Sequence, residues 1–259
     1  MSAAIHLELD GAVANITNDN PDKHNAFDDD MDARLFEILG ELRESPQVRV
    51  VIWRGEGKSF SSGRDVASIG VKKTELSHHE LMRRGHRGIQ QVWDLDQPIL
   101  VACKGWVMGG SFQRALLCDI RIAAEGTRFR LPELTHGVIP DTGGVAVLHQ
   151  MCGAGVVNDM VLTGRIMDTE EALRHGVISR VVAPDDLDTV IREMADQIAS
   201  TPKVTVKLYR EVVRHLSLPD IRSSMADELT YQTTLNKSDD FAEFKAAHNE
   251  GREPNYTGS

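Results

Sequence analysis

Two short runs with strand character, IHLEL (5–9) and VANIT (13–17), flank Asp10-Gly11. That pair predicts a hairpin, because a tight primed turn needs a positive φ that glycine adopts cheaply. The pattern then changes period. After the polar loop NPDKHN, the apolar positions Phe27, Met31, Leu35, Ile38, Leu39 and Leu42 recur at helical spacing. VRVVIWRG (48–55), PILVACKGW (98–106) and IRIAA (120–124) read as buried strands. Between them lie a Gly- and Ser-rich loop, EGKSFSSGRDVASI, a polar and charged stretch from 70 to 90, and the short helix GGSFQRALLCD. Strand, turn, helix, strand is the order of crossover units in a parallel sheet, so the class is α/β.

The second half continues with a short extended piece at RFRLPE, two loops and a helix. A capped helix beginning near Thr169, a strand at 177–182 and a long amphipathic helix follow, and past Pro202 the chain reads as helical almost to its end. The working division is a β/α core over 1–200 and a helical region over 201–259. No tandem repeat is visible.

Composition narrows the partners. Lys plus Arg number 29 against 39 Asp plus Glu, a formal charge of −10, which argues against a general grip on nucleic acid or an anionic membrane. Cys103, Cys118 and Cys152 are odd in number and set in apolar company, as expected of buried thiols in a reducing compartment. No secretory or transit signal is apparent and no stretch approaches the roughly 18 apolar residues of a membrane span, so the expectation is a cytoplasmic protein.

Few motifs carry chemistry. GEGKSF is not a phosphate-binding loop, since Ile52 stands where the first glycine must be. His78-His79-Glu80 sits in a polar stretch and reads as a solvated face, and no metal is expected. Two turns remain. Gly63 in SFSSGRDV and Gly109-Gly110 in VMGGSFQ let the chain approach another group closely, and the second opens a helix whose first N–H groups lack partners. Two main-chain amides from separate turns can form an oxyanion hole.

NDNPDKHNAF, KSFSSGRDV, KGWVMGGSFQRALLCDIRIAAEGTRFRLPELTHGVIPDTGG, LTGRIMDTEEALRHGVISRVV and EGREPNY, in this order, resemble the enoyl-CoA hydratase/isomerase (crotonase) superfamily. The resemblance implies a crotonase spiral of ββα units with a C-terminal helical trimerisation region, assembled as a homotrimer or a dimer of trimers. It implies an acyl-CoA thioester substrate, coenzyme A entering with that substrate and no separate cofactor. The thioester oxygen would be held by the backbone N–H groups of Arg64 and Gly110. Lys23, His24, Asn25, Ala26, Ser62, Arg64 and Asp65 would line the CoA moiety, with Lys23 and Arg64 helping to neutralise its phosphates.

Hydratases of this superfamily use two glutamates. Here the first position is Gln113 and the second is Glu133. A carboxamide can orient water but has no proton-accepting state near neutral pH, so efficient hydration is disfavoured. Moving a C=C bond needs one base and an oxyanion hole, which makes an isomerase using Glu133 the expectation. Asp141 occupies a position that resembles the catalytic aspartate of dienoyl-CoA isomerases, against its reading as a turn or helix-cap residue. The structural alternative for Glu133 is an ion pair with Arg128 or Arg130. His136 either shapes the acyl pocket or is a core or rim histidine, and His248 falls where family members often place an adenine-stacking phenylalanine. An atypical hydratase with Gln113 positioning water, and an acyl-CoA-binding protein without turnover, are the alternatives.

Overall fold

The computed structural model describes residues 4–68 and 77–258, so part of the polar stretch, 69–76, lies outside the described residues. A six-stranded sheet runs in the order β1-β2-β3-β4-β6-β8. Strands β1 (Ala4–Asp10) and β2 (Val13–Asp19) form the antiparallel hairpin expected at Asp10-Gly11, where Gly11 has φ +61°. The others, β3 (Val50–Gly55), β4 (Ile99–Cys103), β6 (Ile120–Ala124) and β8 (Arg180–Val182), add on in parallel.

Both faces of this sheet are buried, which is why its strands read as unbroken apolar runs. Val50, Ile52, Leu100, Ala102, Ile122 and Ala124 pack on Leu187, Ile191 and Ala195 of α6 (Leu187–Ala199). Val51, Trp53, Val101 and Ala123 point the other way, into the main core with Met31, Leu35, Ile38 and Leu39 of α1 (Asp29–Arg43). Asp28 caps α1 by accepting from the Met31 N–H.

Three expectations need correction. PILVACKGW is not one strand. It breaks at Lys104-Gly105, and β5 (Trp106–Met108) leaves to pair with β7 (Arg128–Arg130) in a two-stranded sheet. Gly105 has φ +54°, and a Cβ there would sit 2.1 Å from the Lys58 carbonyl oxygen, so only glycine fits the bend. The stretch from 70 to 90 contains α2 (His78–Asp94), opened by a capping box between Ser77 and Glu80. The strand expected at 177–182 is confined to Arg180–Val182.

The remaining helices are α3 (Gly109–Leu117), α4 (Gly144–Thr163), α5 (Thr169–Arg174), α7 (Lys203–Leu235) and α8 (Asp239–Glu250). By length and composition alone α4 could cross a membrane, but it is broken at Gly153 and packs on α3 and α7. Helix α7 carries Pro219. Before it, Val204, Leu208, Val212 and Leu216 are exposed at four-residue spacing, and after it Ile221 and Met225 join the core.

Candidate active site

The two turns singled out in the sequence abut. The segment around Gly63 lies between the loop at Phe27 and strand β5, with hydrogen bonds alternating from side to side. Ser61 exchanges bonds with Trp106 and Met108, whereas Gly63 C=O accepts from Phe27 N–H and Asp65 N–H donates to Phe27 C=O. This parallel bridge engages the neighbours of Arg64 and leaves the Arg64 N–H out of the pairing with Phe27. Gly63 has φ +90°, and a Cβ on it would meet Met108 O at 2.8 Å and Gly109 Cα at 3.4 Å. Gly110 stands in the first turn of α3, whose cap residue Met108 supplies no side-chain acceptor. Its N–H therefore belongs to the orphan donors of the helix start. A Cβ at Gly110 would have nothing within 4 Å, so open space adjoins it.

Glu133 reaches the same place from a single 3-10 turn, Glu133–His136. A Cβ on Gly109 would lie 3.8 Å from Gly63 Cα and 3.6 Å from Glu133 Oε1. The carboxyl is held on one side only. Gln113 Nε2 donates to Glu133 Oε1 (2.9 Å), while Oε2 is buried without a partner among the described residues. Thr142 settles which way the Gln113 amide faces. Its backbone N–H, which can only donate, bonds to Gln113 Oε1 at 3.0 Å, and its hydroxyl adds a second bond at 3.1 Å. Gln113 thus spans from the 139–143 loop to Glu133, fully buried. Burial pushes the Glu133 carboxyl up to about 7, its own backbone N–H and the bond from Gln113 pull it down, and the charge of Asp141 adds to the rise. A carboxyl near 7 exchanges protons readily in either direction at neutral pH.

The ion-pair alternative for Glu133 is absent among the described residues. Arg128 stacks on Trp106, 4.2 Å from the ring centre, and Arg130 donates to Gly164 O (2.6 Å). Asp141 is not a helix cap. The residue before α4 is Gly143, with no side-chain cap, and the Asp141 carboxylate accepts no hydrogen bond from a described residue. His86 of α2 lies beside it, with Nε2 3.9 Å from Asp141 Oδ2.

Helix α7 braces this loop from behind. Glu228 accepts from Gly143 N–H (2.8 Å) and Ser224 Oγ (2.7 Å), and Gln232 accepts from Ile139 N–H (3.1 Å). His86, Glu228, Gln232 and Thr142 were not among the residues expected from sequence. One helical turn along from Glu228, a cavity of about 60 Å³ opens between α2, α3 and α7, lined by Gln90, Trp93, Leu117, Ile221 and Met225 among others.

The segments expected to line CoA are knitted together. Asn25 and His24 are left-handed at φ 57° and 50°. The buried Asn25 side chain donates to Glu56 O and Ser59 O and accepts from Asn20 N–H, which holds that conformation. His24 Nδ1 lies 2.9 Å from Ser59 Oγ, Ser62 N–H donates to His24 O, and Ala26 is buried beneath them. Lys23 pairs with Asp65 at 2.8 Å. The Arg64 guanidinium turns to α1, paired with Asp29 and with Asp32, so its contribution to a phosphate group would have to compete with two carboxylates. His136 stacks on Phe244 of α8, ring centres 4.7 Å apart, and Phe244 in turn on His248, 6.1 Å. Burial lowers the His136 pKa, as expected of a histidine packed under a helix.

Comparison with known proteins agrees with this arrangement. A family model described as enoyl-CoA hydratase/isomerase matches residues 8–259. Proteins named carnitinyl-CoA dehydratase, from Salmonella enteritidis PT4 and Escherichia coli O157:H7, are each 34% identical over 263 residues, covering 100% of both chains. A crystal structure of an enoyl-CoA hydratase/isomerase from Pseudoalteromonas atlantica T6c superposes with a TM-score of 0.89 at 26% identity, covering 98% of this chain and 99% of the other. One described as an enoyl-CoA hydratase/carnithine racemase from Magnetospirillum magneticum does so with a TM-score of 0.77 at 28% identity, covering 98% and 96%. The fold is thus the one implied by the sequence motifs, and the chain belongs to the enoyl-CoA hydratase/isomerase family of acyl-CoA enzymes.

Proposed function

We propose that the protein shifts a C=C bond of an enoyl-CoA by moving one proton along the acyl chain through an enolate. The thioester oxygen sits against the Arg64 and Gly110 amides, and CoA lies along the 23–26 and 62–65 segments. Glu133 Oε2 takes the α-proton. The electrons of the broken C–H bond move into the thioester, whose oxygen gains negative charge against the two amides. For a simple enoyl chain the same carboxyl returns the proton farther along; for a longer conjugated chain the Asp141 carboxylate takes the α-proton instead and protonated Glu133 delivers one farther along, and the double bond reforms in its new place. The observation carrying this reading is the asymmetric hold on Glu133: one oxygen tied to Gln113, the other buried with no hydrogen-bond partner among the described residues, on a carboxyl that burial pushes up to about 7.

A second reading, reversible removal of water from a 3-hydroxyacyl-CoA, is favoured by the full-length relatives named carnitinyl-CoA dehydratase. There Gln113 would orient the leaving or entering water without accepting its proton. The two separate on one pair of substrates. An isomerase generates the near-ultraviolet band of a conjugated thioester from a 3-enoyl-CoA without taking up solvent oxygen. A hydratase bleaches that band in a 2-enoyl-CoA and incorporates labelled water. Glu133→Gln should lower isomerisation by about 10²- to 10⁴-fold with acyl-CoA binding retained. Undiminished turnover would remove Glu133 from this role.

A further inference from the structure

We propose that His86 is a positioning residue for Asp141, closing onto its carboxylate so that it stays correctly aimed beside Glu133. This rests on the isomerase reading above for its catalytic consequence, but not for the contact itself. His86 is only 6% exposed, and its Nε2 has no hydrogen-bond partner among the described residues. A buried ring nitrogen left unpaired costs on the order of 1–3 kcal/mol, so it is expected to have a purpose. The group nearest to it with spare capacity is Asp141, whose Oδ2 lies 3.9 Å away and whose side chain is 23% exposed. That separation is too long for a hydrogen bond and about 1 Å from one, a gap that a small side-chain adjustment closes. A carboxylate only accepts, so the pairing selects the tautomer with the proton on Nε2.

The surroundings explain why such a partner is needed. Asp141 stands between two buried carboxyls, Glu133 and Glu228, and raises the pKa of each. Three acids so placed cannot all ionise cheaply, and whichever neutralises first changes the chemistry. His86 faces this group from α2, and its charge acts on Glu228 in the opposite sense. Asp32 of α1 and Arg114 of α3 are paired with each other at 2.8 Å, with Arg114 Nε and Nη1 left without a hydrogen-bond partner among the described residues, and α7, also packed on α2, carries Arg214, Asp220, Arg222, Asp227 and Glu228. His86 is the α2 side chain that approaches Asp141. Its placement is structural in origin: with Ile89 and Val92 it forms the buried face of α2.

The contact is tested first without turnover. Following the His86 imidazole by NMR through a pH titration, Asp141→Asn should change the Nε2 signal and its response to pH, since it removes the anion facing that nitrogen. An unchanged titration would overturn the pairing. The positioning role is tested by kinetics on a dienoyl-CoA. His86→Ala should reduce kcat on the order of tenfold with KM little changed and move the acid limb of the rate profile to higher pH. His86→Gln keeps an N–H donor near the Nε2 site and should recover kcat to within about threefold. Equal loss in both variants would assign His86 a merely structural role and overturn the proposal. If Glu133→Gln stays active while the titration still responds to Asp141→Asn, the isomerase reading fails and the His86–Asp141 contact survives.

Discussion

The amides of Arg64 and Gly110 are main-chain groups aimed by two turns in direct contact. Gln113, Glu133, Asp141, His86 and Glu228, by contrast, arrive on five separate stretches of chain and meet through their side chains. The difference matters for what each wall of the cleft tolerates. The amide wall has no side chain to exchange, and its geometry depends on Gly63, where a Cβ would lie 2.8 Å from a carbonyl oxygen. On the acid wall a single substitution alters proton chemistry while leaving the backbone intact, as the glutamine at 113 illustrates. On the proposed reading, charge stabilisation is built into the fold, and the fate of the proton is written on top of it.

The sharpest way to break the amide wall is Gly110→Pro. Proline is tolerated in the first turn of a helix, where its missing N–H would be unpaired in any case, so α3 should persist. The substitution deletes one donor and nothing on the acid wall. Turnover should fall by about 10²- to 10³-fold, the cost typical of losing one oxyanion donor, with the Glu133 pH dependence unchanged. A drop of less than about threefold would show that the Gly110 amide does not face the reacting oxygen.

Gln113→Glu tests the other wall. Thr142 would keep donating to one carboxylate oxygen, leaving the second about where Nε2 now stands, 2.9 Å from Glu133 Oε1. Two acids that close share a proton, and one pKa rises further. The enzyme would then hold the pair of carboxyls that water addition uses. Hydration of a 2-enoyl-CoA, read by labelled-water incorporation, should rise about tenfold relative to isomerisation. No gain would mean that another feature excludes water.

How much of this was legible depended on distance along the chain. The hairpin at Asp10-Gly11 and the two glycine turns are local patterns and lie where the sequence places them, whereas Gln113, Glu133 and Asp141 are singled out only by the family resemblance. The break between β4 and β5 was only partly legible: Lys104-Gly105 marks it in PILVACKGW, but the apolar residues on either side read as one strand. What splits it is the pairing of β5 with a strand more than 20 residues later and the crowding of Gly105 against Lys58. Helix α2 was half-legible. Ser77 and Glu80 are a capping box in plain view, but the face of His86, Ile89 and Val92 is hidden among Arg83, Arg84, Arg87, Gln90 and Gln91. Glu228 and Gln232 look like ordinary polar positions on a long helix. Only tertiary packing brings them to the 139–143 loop, 85 and 93 residues away from the groups they hold.

The smallest expected effect separates the two walls by stability. Glu133 has a folded-state pKa of about 7, raised from an ordinary value of 4.5 by burial. Between these values the native protein binds a proton that the unfolded chain has released, so stability falls as pH rises from about 4.5 through 7 and the loss is complete above that. The difference of 2.5 units corresponds to on the order of 3 kcal/mol at most, since part of it is offset by relaxation. Glu133→Gln cannot ionise and keeps an acceptor for Gln113. The variant should therefore melt several degrees above the native protein at pH 8, with the advantage shrinking toward zero near pH 5, in calorimetric scans. Gly110→Pro, which touches no titrating group, should show a pH-independent offset. If the Glu133→Gln advantage is equal at both pH values, the carboxyl is not desolvated as described, and it loses the property that makes it a base poised at neutral pH.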